Sequence, residues 1–120
     1  MTVKSNETRL LFYKAKLTLK LWGVPIHLDG FSFIAEAAVL KCLFNYRKSN
    51  ILYSHIASSR GITSKTVSNS IAYALGKNRE HICSVLRLGL NNLYASRVIS
   101  LLALHISGDT FDDDLVAKNL

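Results

Sequence analysis

Most of the features that announce a function are missing from this 120-residue chain. It has one proline, Pro25, and no Gly/Ser-rich stretch, so nothing marks a linker, and one domain spanning residues 1–120 is expected. No internal repeat is visible. Its two cysteines, Cys42 and Cys83, sit among apolar residues without metal-like neighbours and read as buried thiols in a reducing compartment. His27, His55, His81 and His105 are scattered, and no pair has the i, i+4 spacing of a zinc site. A Gly-rich phosphate loop, a nucleophile elbow and paired acid/base carboxylates are all lacking, Glu7, Glu36 and Glu80 being isolated. No enzyme activity, cofactor or metal is therefore expected. The longest apolar stretch, residues 99–106, is interrupted by Ser100 and His105 and falls far short of the about 20 residues that cross a bilayer. Lysines scattered through residues 1–21 do not make the leading basic segment of a signal peptide. A cytoplasmic protein without a membrane partner is expected.

Acid is scarce over most of the chain. Of fifteen lysines and arginines, fourteen precede residue 101 against four acids, a net of +10, whereas Asp109, Asp112, Asp113 and Asp114 against Lys118 leave the last twenty residues at −3. A basic body suits a polyanionic partner, because each phosphate neutralised releases condensed counterions. The competing explanation is solubility, which a charged surface also serves. With 49% of its residues apolar, a chain of this length can bury a real core.

What the sequence does contain is concentrated in Ile56-Ala57-Ser58-Ser59-Arg60-Gly61-Ile62-Thr63-Ser64-Lys65-Thr66-Val67. Ala57 is small enough for a second helix to cross closely. Gly61, four residues on, stands where the turn between two such helices wants a positive φ, a conformation nearly free for glycine and costing roughly 1 kcal/mol or more with a Cβ. Thr63 or Ser64 can cap the second helix and set its start at about residue 64. Val67, Ile71, Ala74 and Leu75 then repeat as a buried stripe. Lys65, Ser68, Asn69 and Ala72 form the opposite i, i+3, i+4, i+7 row and would face a major groove together. Residues 51–59 and 64–77 thus read as a helix-turn-helix, or, on the plainer reading, as an ordinary helical hairpin.

Elsewhere the patterns are coarser. In residues 6–22, Leu10, Tyr13, Leu17 and Leu21 form a helical stripe while residues 16–21 alternate like a strand, so both readings stay open. Gly23-Val24-Pro25 breaks the element, and Asp29-Gly30 supplies another turn before Phe31. A helix is expected over about 32–46, with Phe33, Ala37, Leu40 and Phe44 inward, Glu36, Lys41 and Arg47 outward or at its end, and Arg47 and Lys48 complementing its carbonyl end. Residues 80–88 and 95–106 read as two further helices, and the tail after Gly108 as fraying.

Several of these stretches together resemble a known family. Gly23-Val24-Pro25-Ile26-His27-Leu28-Asp29-Gly30-Phe31-Ser32-Phe33-Ile34-Ala35-Glu36-Ala37 is similar to the opening of the C-terminal effector domain of stage zero sporulation protein A. Ile51-Leu52-Tyr53, Ile56-Ala57 and residues 63–71 are similar in register to that domain's helix-turn-helix, and residues 96–106 to its last helix. The likeness covers roughly 15–106, with 107–120 an acidic tail. It implies an all-α, compact bundle of about six helices, residues 6–22 among them, that binds a short DNA box, commonly with a second copy on an adjacent box. The family joins this domain to a receiver domain, for which the chain starts too close to the effector fold. The family also carries arginines at the positions of Thr66, Asn69 and Ala72, none of them basic here, so its DNA box does not carry over.

The leading expectation is a stand-alone bacterial transcriptional regulator or accessory factor on double-stranded DNA, nucleoid-associated when bound. Thr63, Ser64, Lys65, Thr66, Ser68, Asn69, Ala72 and Tyr73 would lie at the groove, with Lys48, Arg60, Lys65, Lys77 and Arg79 on phosphates. The alternative is a protein-interaction module that pairs with a full-length regulator of the same family without reading DNA. Tyr73, Tyr94, Val98 and Leu102 are its candidate contacts, although each reads first as a core residue.

Overall fold

The computed structural model describes residues 2–44 and 49–107, with side chains over 7–44 and 50–107. Among these there are six α-helices and no strand: α1 (Thr2–Trp22), α2 (Asp29–Phe44), α3 (Ser49–Arg60), α4 (Ser64–Lys77), α5 (Arg79–Leu86) and α6 (Ala95–Ser107), with a single 3-10 turn at Leu90–Asn92. The all-α bundle expected from the sequence is what forms. The 3-10 turn was not foreseen.

Helix α2 is the centre. Phe31, Phe33, Ile34, Ala35, Ala37, Ala38, Val39 and Leu40 are all buried and point in nearly every direction around its axis. It touches α1, α3, α4 and α6, which form a jacket around it, while α5 closes the bundle against α1 and α4. Its solvent side is narrow: Asp29 and Phe44 are exposed at its two ends, and Ser32, Glu36, Lys41, Cys42 and Leu43 are half-buried. The helix begins at Asp29 rather than at 32, so Asp29-Gly30 is its first turn and not a separate bend, with the Asp29 carboxylate at the positive end of the helix dipole. Gly30 is buried against α4, where a Cβ would run into the carbonyl oxygen of Ser70. Phe44, expected inward, is half exposed beside the His55 ring. Arg47, Lys48 and the acidic tail lie outside the described residues.

In α1 the open choice between helix and strand falls to helix, with the face opposite to the stripe read from sequence. Ala15, Thr18 and Leu19 are buried, with Leu11, Phe12 and Trp22 packed beside them. Leu10, Tyr13, Leu17 and Leu21 are 53%, 66%, 47% and 71% exposed.

Three helices stop by the same device. After α1, Val24 N–H donates to Leu19 and Gly23 N–H to Lys20, both at 3.1 Å, with Gly23 at φ +96°. After α3, Ile62 N–H donates to Ala57 at 3.0 Å, with Gly61 at φ +68°. After α5, Leu88 N–H donates to Cys83 at 2.9 Å, with Arg87 at φ +57° in the glycine's place. Each left-handed residue turns the chain back so that carbonyls of the last turn find donors. The Gly23 end is also pinned from outside, because Asn78, between α4 and α5, donates its side-chain amide to the Gly23 carbonyl at 2.8 Å.

The glycine ends can be tested separately from packing. A Cβ at Gly61 meets nothing within 4 Å, so the only penalty there is the backbone conformation. Gly61→Val should lower stability by more than about 1 kcal/mol, and Arg87→Gly should raise it by about 1 kcal/mol. Denaturant midpoints measure both. Two unchanged midpoints would refute the left-handed helix ends.

Candidate nucleic-acid interface

Helices α3 and α4 are joined by only Gly61, Ile62 and Thr63, and they pack on each other. Ala57, the small residue expected at their approach, is buried, and its carbonyl receives the Ile62 N–H. Thr63 caps α4: its backbone is extended, at φ −92° and ψ 155°, and its hydroxyl accepts the Thr66 N–H at 3.1 Å. The Thr63 and Thr66 hydroxyls also pair at 2.9 Å, and those of Ser54 and Ser64 approach to 3.3 Å across the two helices. Three of the candidate groove hydroxyls, on Thr63, Ser64 and Thr66, therefore already have partners within the fold.

Val67, Ile71, Ala74 and Leu75 are the buried residues of α4, the stripe read from the sequence. They turn Lys65, Thr66, Asn69, Ala72 and Tyr73 outward, with Asn69 near the middle of the outward face, while Ser68 is only half exposed at its margin. Gly76 joins this face, a position the sequence reading passed over. A Cβ there meets nothing within 4 Å, leaving a flat place between Asn69 and the end of the helix. Residues 64–77 contain no acid and two lysines, Lys65 and Lys77. These stand about 18 Å apart along the axis at the rise of an α-helix.

The expected phosphate contacts divide. Lys65 and Lys77 are exposed, Lys77 with its ammonium 5.0 Å from the centre of the Tyr73 ring. Arg60 is committed elsewhere: its guanidinium donates to Glu36 of α2 from Nε at 3.1 Å and from Nη2 at 2.7 Å, and stacks 5.2 Å from the centre of Phe33. Its side chain remains 42% exposed. Arg79 donates twice to the Leu90 carbonyl, at 3.0 and 2.6 Å, stapling the start of α5 to the 3-10 turn. The sequence supplies the charge of both arginines but not the acceptors that hold them. Lys48 lies outside the described residues.

Of the four contacts assigned to a protein-interaction module, Val98 and Leu102 are fully buried core residues and cannot touch a partner. Tyr73 and Tyr94 are half exposed, on different elements, Tyr94 stacking with Arg97. Among the described residues no three His, Cys, Asp or Glu side chains gather as a metal site would need. Cys83 is buried and Cys42 half-buried, its sulfur 3.3 Å from the Ala103 carbonyl. Burial pushes the Cys42 thiol up from its ordinary value, against the lowering effect of a hydrogen bond with Ser107. A thiol held protonated is a poor nucleophile and a poor metal ligand. No helix among the described residues is long and apolar enough to cross a membrane.

Comparison of the chain with protein-family models, with curated proteins and with solved structures gave no match, so the likeness to the sporulation effector domain rests on the quoted residues.

Proposed function

We propose that this protein binds double-stranded DNA as a stand-alone helix-turn-helix regulator or accessory factor, laying the N-terminal half of α4 in the major groove. The observation that carries this reading is the outward face of α4. Lys65 and Asn69 stand exposed on it, with no hydrogen bond or ion pair holding them among the described residues, in a helix free of acid. A face built to stabilise the fold would be packed or paired. One reserved for a polyanion needs a cation, a group that can read a base edge, and small neighbours that allow close approach. Lys65, Asn69, Ala72 and Gly76 meet those needs in that order. Chain charge acts in the same direction, at +10 over residues 1–100. A second copy on an adjacent box belongs to the same reading.

Base reading falls to Asn69. Its amide can donate to adenine N7 and accept from adenine N6, a pairing no other base edge in the major groove reproduces. Lys65, one turn earlier, reaches a guanine or a phosphate. Arg60 enters this picture as a positioning residue, since Nε and Nη2 of its guanidinium are already held by one oxygen of Glu36. The protein-interaction alternative keeps only Tyr73 and Tyr94 of its four contacts.

Selection of bound sites from random duplex DNA, followed by titration against bulk DNA at several salt concentrations, tests the reading. Enrichment of a common site and a steep fall of affinity with salt are expected. A salt-tolerant complex with another protein and no DNA affinity would favour the alternative. Lys65→Ala should weaken DNA binding and flatten the log–log salt slope by about 1 if it meets a phosphate, with the melting temperature unchanged. Arg60→Ala should instead lower stability by about 1 kcal/mol, through the lost ion pair and the lost cover over Phe33. A loss of affinity without loss of stability would return Arg60 to the phosphates.

Asn69→Ala should cost about 1–3 kcal/mol on the selected site and little on random duplex. Equal losses on both would make Asn69 a backbone contact. No loss on either would remove α4 from the groove.

A further inference from the structure

The DNA reading uses the outward face of α4 but not the cleft that opens along its edge. Asn69, Ser70 and Tyr73 of α4 form one wall, and Leu28, Asp29 and Gly30, where α2 begins, form the other, around about 420 Å³ open to solvent. The walls stand close because Gly30 lies against the α4 backbone at Ser70, where a Cβ would meet the carbonyl oxygen. Asp29 and Asn69, one residue before each side of that contact, border the same opening. Asp29 is exposed, and no hydrogen bond or ion pair holds its carboxylate among the described residues. It is an acid at the margin of a helix that has none of its own.

A carboxylate in that place is selective, because most of what a duplex presents repels it. In the major groove guanine offers the acceptors N7 and O6, and thymine the acceptor O4. Adenine sets its N7 acceptor beside its N6 amino group, whereas cytosine offers the N4 amino group alone. Once a duplex covers the cleft, with Leu28 and the Tyr73 ring helping to exclude water, a carboxylate that meets no donor loses its hydration and gains nothing in return.

We infer that Asp29 is a specificity-determining residue, accepting a hydrogen bond from the N4 amino group of a cytosine close to the adenine read by Asn69 and disfavouring every other base there. This inference rests on the proposal that α4 lies in the major groove. A cleft of about 420 Å³ is roughly 8 Å across, or two base-pair steps of about 3.4 Å, so the cytosine falls within two base pairs of that adenine. Asp29 also has a plainer role, as the acid in the first turn of α2 at the positive end of its dipole. That role acts on stability and is blind to DNA sequence, so base preference separates the two.

The test repeats the selection from random duplex DNA with the whole chain and with Asp29→Ser and Asp29→Asn. Both replacements can still cap a helix, and both can donate as well as accept, so neither singles out an amino group. The position whose preference disappears in Asn69→Ala serves as the reference. Sites selected by the unaltered chain are expected to carry a fixed cytosine within two base pairs of it. Exchanging that cytosine should cost the unaltered chain about tenfold or more in affinity, and a variant less than about twofold. Both variants should bind random duplex more tightly than the unaltered chain, since a negative charge has left the interface. Melting curves show which variants are folded, and one folded variant suffices. A cytosine preference that persists in a folded variant, sites without a cytosine in that window, or weaker binding of a folded variant to random duplex would each overturn the role of Asp29 and leave α4 in the groove. No DNA binding by the unaltered chain, or no preference lost in Asn69→Ala, would overturn the base-reading role of α4 and this inference together.

Discussion

The constraint on which the rest of this domain depends is that α2 has almost no wet side. A helix buried on nearly all faces must be covered by several others at once, and each neighbour's orientation is then set by the side chains α2 presents to it. Small residues decide how close they come. Ala35, Ala37 and Ala38 leave room around the middle of α2, and Gly30 lets its first turn lie against the backbone of α4 at Ser70. Once α4 is seated there, Val67, Ile71, Ala74 and Leu75 are consumed in the core, and the helix has only one face left to offer outside.

Directional control comes from the helix ends. A helix in a small bundle must stop without leaving buried carbonyls unpaired, and the left-handed residue after α1, α3 and α5 achieves this within one residue. Glycine adopts it freely at 23 and 61, while Arg87 adopts it against the preference of a residue with Cβ. At Gly61 the same turn sets the three-residue separation between α3 and α4. The Asn78 amide adds a cross-link in sequence terms, tying the junction of α4 and α5 to the end of α1 fifty-five residues earlier.

Positive charge is distributed less simply than its amount suggests. Arg60 and Arg79, each of which donates to one oxygen from two nitrogens, are used as staples within the fold, whereas Lys65 and Lys77 stand on the outer face of α4. A planar guanidinium gains more from a fixed acceptor than an ammonium does. A hydrated point charge on a flexible stem is better suited to a phosphate whose position varies. The two kinds of cation therefore do different work in one basic chain.

Helix α4 was the part most readable from residues alone. Its start is marked by a capping threonine, its approach by glycine, and its buried stripe by fourteen residues with a single apolar face, so local chemistry and periodicity agree. The same reasoning missed the orientation of α1, where Leu10, Tyr13, Leu17 and Leu21 alternate with a second apolar set, Leu11, Ala15, Leu19 and Trp22. Periodicity leaves such a segment open between helix and strand. Which face goes inward depends on which one packs against α2, and the smaller Ala15 sits on the face that does. The start of α2 was placed three residues late because Asp-Gly is as good a turn as a first helical turn, and only the approach of α4 selects between them. Arg60 and Arg79 are at the surface as read, but their acceptors went unforeseen because these are twenty-four and eleven residues away in sequence. The sequence by itself therefore determined the α4 stripe, its cap and the glycine turn, all of which rest on contacts within a few residues. The all-α class came with the family resemblance, residues 6–22 being open to helix or strand on their own pattern. Tertiary structure alone decided the inward face of α1 and the partners of the two arginines, because each depends on which distant segment packs alongside.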